Sequence, residues 1–195
     1  MLLFSGGVES TALAFQHRPD RLLTVDYGQA PAVGELRAAR HLAGLLDLGH
    51  DELAVDAAHL GSGDLVGKPK AGHSEVSEAW PFRNQFLITL AAMKYANCGL
   101  SEILIGTVAT DRVHADGTPG FLERIGALIR CELPSVLVRA PAIHMNTEEL
   151  VRTSKLPDEL LGWTFSCHRA SVACGQCRGC NKTLELRECL AREEQ

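Results

Sequence analysis

The chain opens MLLFSGGVEST, so Ser5, Gly6 and Gly7 stand between a short apolar run and the polar trio Glu9, Ser10 and Thr11. Adjacent glycines tolerate positive φ and carry no Cβ, which lets successive backbone N–H groups converge on an anion. A helix starting behind them adds its unpaired N–H groups and the positive end of its dipole, and the three hydroxyls add donors. That set makes a phosphate cradle. It is neither a GxxxxGK[ST] loop nor a GxGxxG turn, and a tight strand-to-helix turn accounts for the two glycines equally well. Near the other end, Cys167, Cys174, Cys177 and Cys180 follow the spacing Cys-x6-Cys-x2-Cys-x2-Cys. Four thiolates so spaced, with Gly175 and Gly179 permitting the turns, suit a tetrahedral structural zinc ion. An iron–sulfur cluster is the competing metal group. In a reducing compartment, ligand supply is expected rather than disulfide formation.

Single residues between these ends carry further chemistry. Arg83 and Asn84 open a long apolar helix, where a cation opposes the dipole unless it meets an anion. A nucleotide phosphate or a substrate carboxylate would serve, and a solvated first-turn arginine is the alternative. Asp111, in a loop, suits a magnesium ion held jointly with phosphate oxygens, or else caps the next turn. His73, His114 and His144 each read as a base or as a surface histidine, and His168 as a bystander of the zinc site or a substrate-facing residue. Cys98, Cys131 and Cys189 read as small buried hydrophobes.

Alternating strands and helices must position these groups. Apolar runs predict strands over 2–4, 22–26, 52–56, 102–107 and 135–141, and helical spacing predicts helices over 9–16, 34–46, 82–96 and 121–130. The Gly-, Ser-, Lys- and His-rich stretch 61–80 has no period and reads as a mobile loop. Strand–helix alternation argues for a Rossmann-like α/β fold, a parallel five-stranded sheet with helices on both faces. Residues 1–160 would form that domain, and 161–195 a zinc-binding segment packed on it. Ligands bind outside the carboxyl ends of such strands. Ser5-Gly6-Gly7, Asp26-Tyr27-Gly28-Gln29 and Gly106 through Asp111 all follow strands, so one cleft should gather them.

Composition sets outer bounds. A chain of 195 residues with 46% hydrophobic and 22% charged content is that of a globular domain. Its net charge of −5 disfavours nucleic acid as a partner. No apolar run approaches the roughly 18 residues of a membrane span. Without the basic region and cleavage site of a secretory leader, the cytoplasm is the expected location.

Ser-Gly-Gly-x-acid-Ser behind a first strand resembles the pyrophosphate loop of the N-type ATP pyrophosphatases, which usually read SGGxDS. The order of Asp26-Tyr27-Gly28-Gln29 with Glu35-Leu36, Pro81-Phe82-Arg83-Asn84, Ile105-Gly106 with Asp111, Ala140-Pro141, Thr164-Phe165-Ser166-Cys167 and Cys174-Gly175-Gln176-Cys177-Arg178-Gly179-Cys180 resembles one branch of that superfamily, the 7-cyano-7-deazaguanine synthases. The resemblance covers nearly the whole chain. It implies conversion of 7-carboxy-7-deazaguanine, ammonia and ATP into the nitrile precursor of queuosine through an adenylate and an amide, by a homodimer with a structural zinc. It places Ser5, Gly6, Gly7, Glu9, Ser10 and Thr11 on the pyrophosphate, Asp26 to Gln29 beside the adenosine, and Arg83, Asn84, Gly106 and Asp111 around the reacting groups. Asp116 is the match to a substrate-contacting acid. Ser5, Glu9, Ser10, Arg83 and Asp111 are the expected catalytic set.

The chain departs from the family pattern at four places. Glu9 stands for aspartate, Phe82 for the glycine before Arg83-Asn84, Ala30-Pro31 for Arg-His, and the segment around His114 is shorter. Relatives of the family also occur in antiviral operons, so a second expectation is transfer of the activated deazaguanine to an amine, including one on a protein. The transfer-RNA-modifying ligases of the superfamily need a basic surface that this acidic chain lacks. A degenerate nucleotide-binding subunit is the non-enzymatic alternative.

Overall fold

Successive strand residues point to opposite sides of a sheet, and this chain is apolar on both sides. Leu2, Phe4, Leu22 and Leu104 enter one core, whereas Leu3, Leu23, Val25, Ile103 and Ile105 enter the other. A computed structural model describes residues 1–72 and 74–192; His73, a candidate base by sequence, lies outside the described residues. The elements are β1 (Leu2–Leu3), α1 (Val8–His17), β2 (Leu22–Asp26), α2 (Ala32–Leu46), β3 (His50–Ala54), α3 (Arg83–Tyr95), β4 (Glu102–Leu104), α4 (Pro119–Arg130), β5 (Leu137–Arg139), α5 (Thr147–Ser154), α6 (Asp158–Trp163) and α7 (Arg178–Arg192). All neighbouring strands are parallel, in the order β3-β2-β1-β4-β5. The Rossmann-like α/β architecture expected from the alternation is the one observed. No helix among the described residues is long and apolar enough to cross a membrane.

The two cores are covered differently. Helices α1, α2, α5 and α6, with Leu186 of α7, close one face, and α3 and α4 close the other. Leu2, Leu22, Leu23 and Ile103 are wholly buried, each side chain contributing roughly 1.5–3 kcal/mol over exposure. Central β1 runs out to β2 and β3 on one side, and the chain then returns to add β4 and β5 on the other. The strand order therefore reverses between β1 and β4, which is where such sheets open a ligand crevice.

Three sequence expectations need correction. The described residues of the stretch, 61–72 and 74–80, are not a free loop: they form a strap with a 3-10 turn at Gly63–Val66, and Leu65, Glu78, Ala79 and Trp80 are buried. Its polar composition hid four anchoring positions, and the Leu65 carbonyl also accepts from the Ala30 N–H at 2.7 Å. Cys98 and Cys131 are exposed and Cys189 is only partly buried, because Cys98 lies in the turn after α3, Cys131 caps the end of α4, and only Cys189 lies within a helix, α7. The strand predicted over 52–56 begins two residues earlier, at His50. As an edge strand it leaves most side chains partly exposed, so hydrophobicity does not mark its start.

Candidate active site

The carboxyl ends of β1 and β4 open into a cavity of about 280 Å3, lined by the first loop, by Tyr27 and Arg83, by the strap and by the cysteine-rich segment. In the first loop the two glycines have separate tasks. Gly6 takes φ +72°, and a Cβ there would lie 2.8 Å from the backbone nitrogen of Ala39, so its bareness admits α2 against the loop. Gly7 faces the cavity. Gly7 is also the N-cap of α1 and has no side chain to offer that helix. The Glu9 N–H is met by its own carboxylate, and the neighbouring first-turn N–H groups are left for an anion.

The predicted residues do not all reach the cavity. Ser5, Gly7, Glu9, Ser10, Tyr27, Arg83, Asn84, Gly106 and Asp111 line it. Thr11 is fully buried and its hydroxyl donates to the Gly7 carbonyl at 2.8 Å, so it braces the loop from behind. Gln29 is likewise inside, accepting from the Tyr27 N–H and donating to Val25 and Glu35. Asp26 accepts from the Gly28 N–H at 3.0 Å, which shapes the turn after β2. Asp116 accepts from the Asn84 N–H at 2.9 Å, and the Asn84 side-chain amide returns a bond to the Asp116 carbonyl. That exchange caps α3 and gives Asp116 a positioning task. Of the remaining histidines, His114 lines the cavity, whereas His144 is exposed beside Arg112.

Arg83 enters the cavity from the first turn of α3, just after Phe82, which holds a left-handed φ of 57° with its ring 74% exposed. A phenylalanine there keeps the backbone conformation for which glycine is suited, at a strain of about 1–2 kcal/mol. Burial opposes the Arg83 charge, but Tyr27, Asp116, Asp111 and Glu35 around it outweigh that and raise its affinity for a proton. Tyr27 packs edge-on against Trp80 of the strap at 4.8 Å. Burial also pushes its phenol well above the usual range, so it meets a ligand as a neutral donor.

Glu35, on α2, is pushed up to about 7 from 4.5, chiefly by burial, although a bond from Gln29 and the charge of Arg83 pull the other way. The folded chain thus binds this proton more tightly than the unfolded chain does. The resulting stabilisation is complete below about pH 4.5 and is lost as pH rises through about 7. Chemical denaturation at pH 5 and pH 8 is expected to show a smaller drop for Glu35→Gln than for the wild type. Equal drops would assign the loss to another group.

The cysteine-rich segment carries three cations to three carboxylates of the α/β body. Arg169 meets Asp64 at 3.0 Å, Arg178 meets Glu78 at 2.6 Å, and Lys182 meets Glu9 at 2.6 Å. Glu78 has a side chain only 4% exposed, and His114 lies 3.5 Å from the same oxygen. Burial would raise Glu78, yet His114, its own backbone N–H and Arg178 together hold it well below the usual carboxylate range. Glu9 behaves similarly: burial is overcome by Lys182 and by a 2.7 Å bond from the Thr147 hydroxyl. None of Lys182, Arg178, Glu78 or Thr147 stands out by sequence, because each is one polar residue in a polar stretch. The only signal was indirect: α7 overlaps the cysteine cluster, and two of these residues flank Cys180.

The four sulfur atoms of Cys167, Cys174, Cys177 and Cys180 lie within 4.8 Å of one another. Cys174 and Cys180 are 3.9 Å apart, and Cys167 and Cys177 are 4.0 Å apart. Four bonds of zinc–thiolate length to one ion require sulfur–sulfur edges of ~3.8 Å, so the set fits a single tetrahedral ion. A multi-iron cluster interposes metal atoms and would hold the sulfurs farther apart. Backbone N–H groups of His168 and Cys180 point at the Cys177 sulfur, at 3.3 and 3.4 Å, which favours the thiolate form a metal needs. His168 is not among the four clustered ligands, and its buried Nδ1 has no hydrogen-bond partner among the described residues.

These features can be set beside known proteins. A family model described as queuosine biosynthesis protein QueC matches residues 1–187. The 7-cyano-7-deazaguanine synthase 1 of Desulfitobacterium hafniense is 30% identical, over 99% of this chain and 94% of its own. The 7-cyano-7-deazaguanine synthase of Anaeromyxobacter dehalogenans is 30% identical over 93% of this chain and 87% of its own. That of Nitratiruptor sp. is 26% identical over 95% and 91%. With a match that runs from the first strand through the cysteine knuckle and into α7, the chain belongs to the QueC family of queuosine biosynthesis proteins.

Proposed function

We propose that this protein adenylates 7-carboxy-7-deazaguanine with ATP and then transfers the acyl group to ammonia, proceeding to 7-cyano-7-deazaguanine. The observation that carries this reading is the meeting, in one cavity at the β1/β4 reversal, of an uncapped helix N-terminus behind Ser5-Gly6-Gly7 with the guanidinium of Arg83. In the first step a carboxylate oxygen attacks the α-phosphorus of ATP and pyrophosphate leaves. Ammonia then attacks the acyl carbon, AMP leaves, and a proton is lost to give the amide. A second activation, attack of the amide oxygen on the α-phosphorus of another ATP with departure of pyrophosphate, followed by loss of AMP and a proton, gives the nitrile.

The residues divide this work by position. The α1 N-terminus and the hydroxyls of Ser5 and Ser10 hold departing phosphate charge. Arg83 neutralises charge that builds on the transferring group, and Tyr27, backed by Trp80, supplies an aromatic surface for a planar base. Asp111 would hold magnesium together with phosphate oxygens. Cys167, Cys174, Cys177 and Cys180 would hold a zinc ion, which would supply structural stability.

The test is incubation with ATP, 7-carboxy-7-deazaguanine and ammonium, followed by mass spectrometry of the base. Conversion to the amide and then the nitrile is the expected result. Pyrophosphate release without either product would overturn the choice of acceptor and direct the search to another amine. No pyrophosphate release with this acid would overturn the reading as a whole.

A further inference from the structure

Lys182 sits on α7 two residues beyond Cys180 and reaches across the cavity to the start of α1. Its ammonium lies 2.6 Å from Glu9 Oε1 and 4.0 Å from Asp111 Oδ1. Thr147 donates to the same Glu9 oxygen at 2.7 Å, fixing that carboxylate from the α5 side. Lys182, Glu9 and Asp111 all line the cavity, together with Ser5, Gly7 and Ser10 of the first loop. An ammonium has three donors, and Glu9 takes one of them. Asp111 at 4.0 Å is near enough for charge attraction but too far for a hydrogen bond. Donors therefore remain for a ligand beside the loop.

The charge balance at this end of the cavity also calls for a cation. Glu9 and Asp111 are both acids, and a nucleotide triphosphate entering between them brings further negative charge. The Ala30-Pro31 dipeptide supplies no cation here: Pro31 is buried as the N-cap of α2, and Ala30 is tied to the strap. We infer that Lys182 is a nucleotide-binding residue, delivered by the metal knuckle to the triphosphate beside the first loop and held there by Glu9. This rests on the ATP reading above. It also accounts for the long acid at position 9. Aspartate is one methylene shorter, about 1.5 Å, and would leave the ammonium about 4 Å away, outside hydrogen-bond range.

Calorimetry with α,β-methylene-ATP and magnesium, whose α–β bridge cannot be cleaved, tests the inference without turnover. Lys182→Met is expected to weaken binding at least tenfold and to flatten its salt dependence, since one screened charge contact is gone. Lys182→Arg should stay within about threefold of the wild type. Arg169→Met, which breaks the outer ion pair with Asp64 and leaves the cavity alone, should stay within about twofold. Metal content and circular dichroism are measured on every variant. If the wild type binds the analogue and Lys182→Met binds within twofold of it, this inference falls while the ATP reading stands. If the wild type does not bind it, both fall. Should Lys182→Met lose its metal or its helices, Glu9→Asp decides: a three- to tenfold loss supports the inference, and unchanged affinity overturns it.

Discussion

Replacing Arg83 by methionine is expected to lower the rate of pyrophosphate release from ATP by about 100- to 1,000-fold, the usual effect of deleting one preorganised charge-stabilising donor. The side chain stands among Tyr27, Asp116, Asp111 and Glu35, the groups that raise its affinity for a proton. A cation at the first turn of α3 opposes that helix dipole, so its presence there is explained by what it meets rather than by helix stability. Removing it leaves Glu35 without one of the two influences that hold its carboxyl down, and the cavity then offers an anion more negative charge than positive. Arg83→Lys separates charge from shape. It keeps the cation but loses the planar fork, and should recover part of the rate but not all. The measurement is steady-state pyrophosphate release with the acid substrate, with circular dichroism to show that α3 persists. A rate within tenfold of the wild type for Arg83→Met would remove Arg83 from the catalytic set.

Much of the fold was legible because the signals were local. β2 is a continuous apolar run and appears at the residues expected, Leu22–Asp26. The helices α1 to α4 appear within about two residues of their predicted ends, as is usual for frayed termini. The helices α5 and α6 were not read, although Asn146 and Glu149 form a capping box that the sequence carries openly. Strand ends at the sheet edges and the strap could not be read, since their burial is set by partners distant in sequence: Leu65 by Ala30, and Glu78 by Arg178. The candidate site divides along the same line. Gly7, Arg83, Asp111 and the four cysteines were marked by residue type and spacing. Lys182, Glu78 and Thr147 acquire meaning only when α7, the strap and α5 converge on one cavity, and no period or short motif encodes that convergence.

The cysteine knuckle is where that convergence is most exposed to a single change. Cys177→Ser is expected to abolish stoichiometric zinc binding and to lower the thermal midpoint by roughly 10 °C. Cys177 is 1% exposed, accepts from two backbone N–H groups and lies 4.0 Å from the Cys167 sulfur. A serine oxygen is shorter and harder than a thiolate and replaces it poorly on zinc. Without the ion, nothing draws the four sulfurs together, and the turns that aim Arg178 and Lys182 lose their anchor. Glu78 would then be a buried carboxylate deprived of a guanidinium whose side chain is 39% exposed, so the cost is at most the roughly 3–5 kcal/mol of breaking a fully buried pair. In a domain of this size each kcal/mol moves the midpoint by roughly 2–4 °C. Plasma emission spectrometry and differential scanning fluorimetry, on the variant and on wild type treated with a strong chelator, make the comparison. The two samples should agree, and zinc should restore only the wild type. A variant that retains both its zinc and its midpoint would show that three thiolates suffice, whereas one that retains its zinc but loses its midpoint would place the fall in the ion pairs, with Glu78→Gln as the substitution that isolates them.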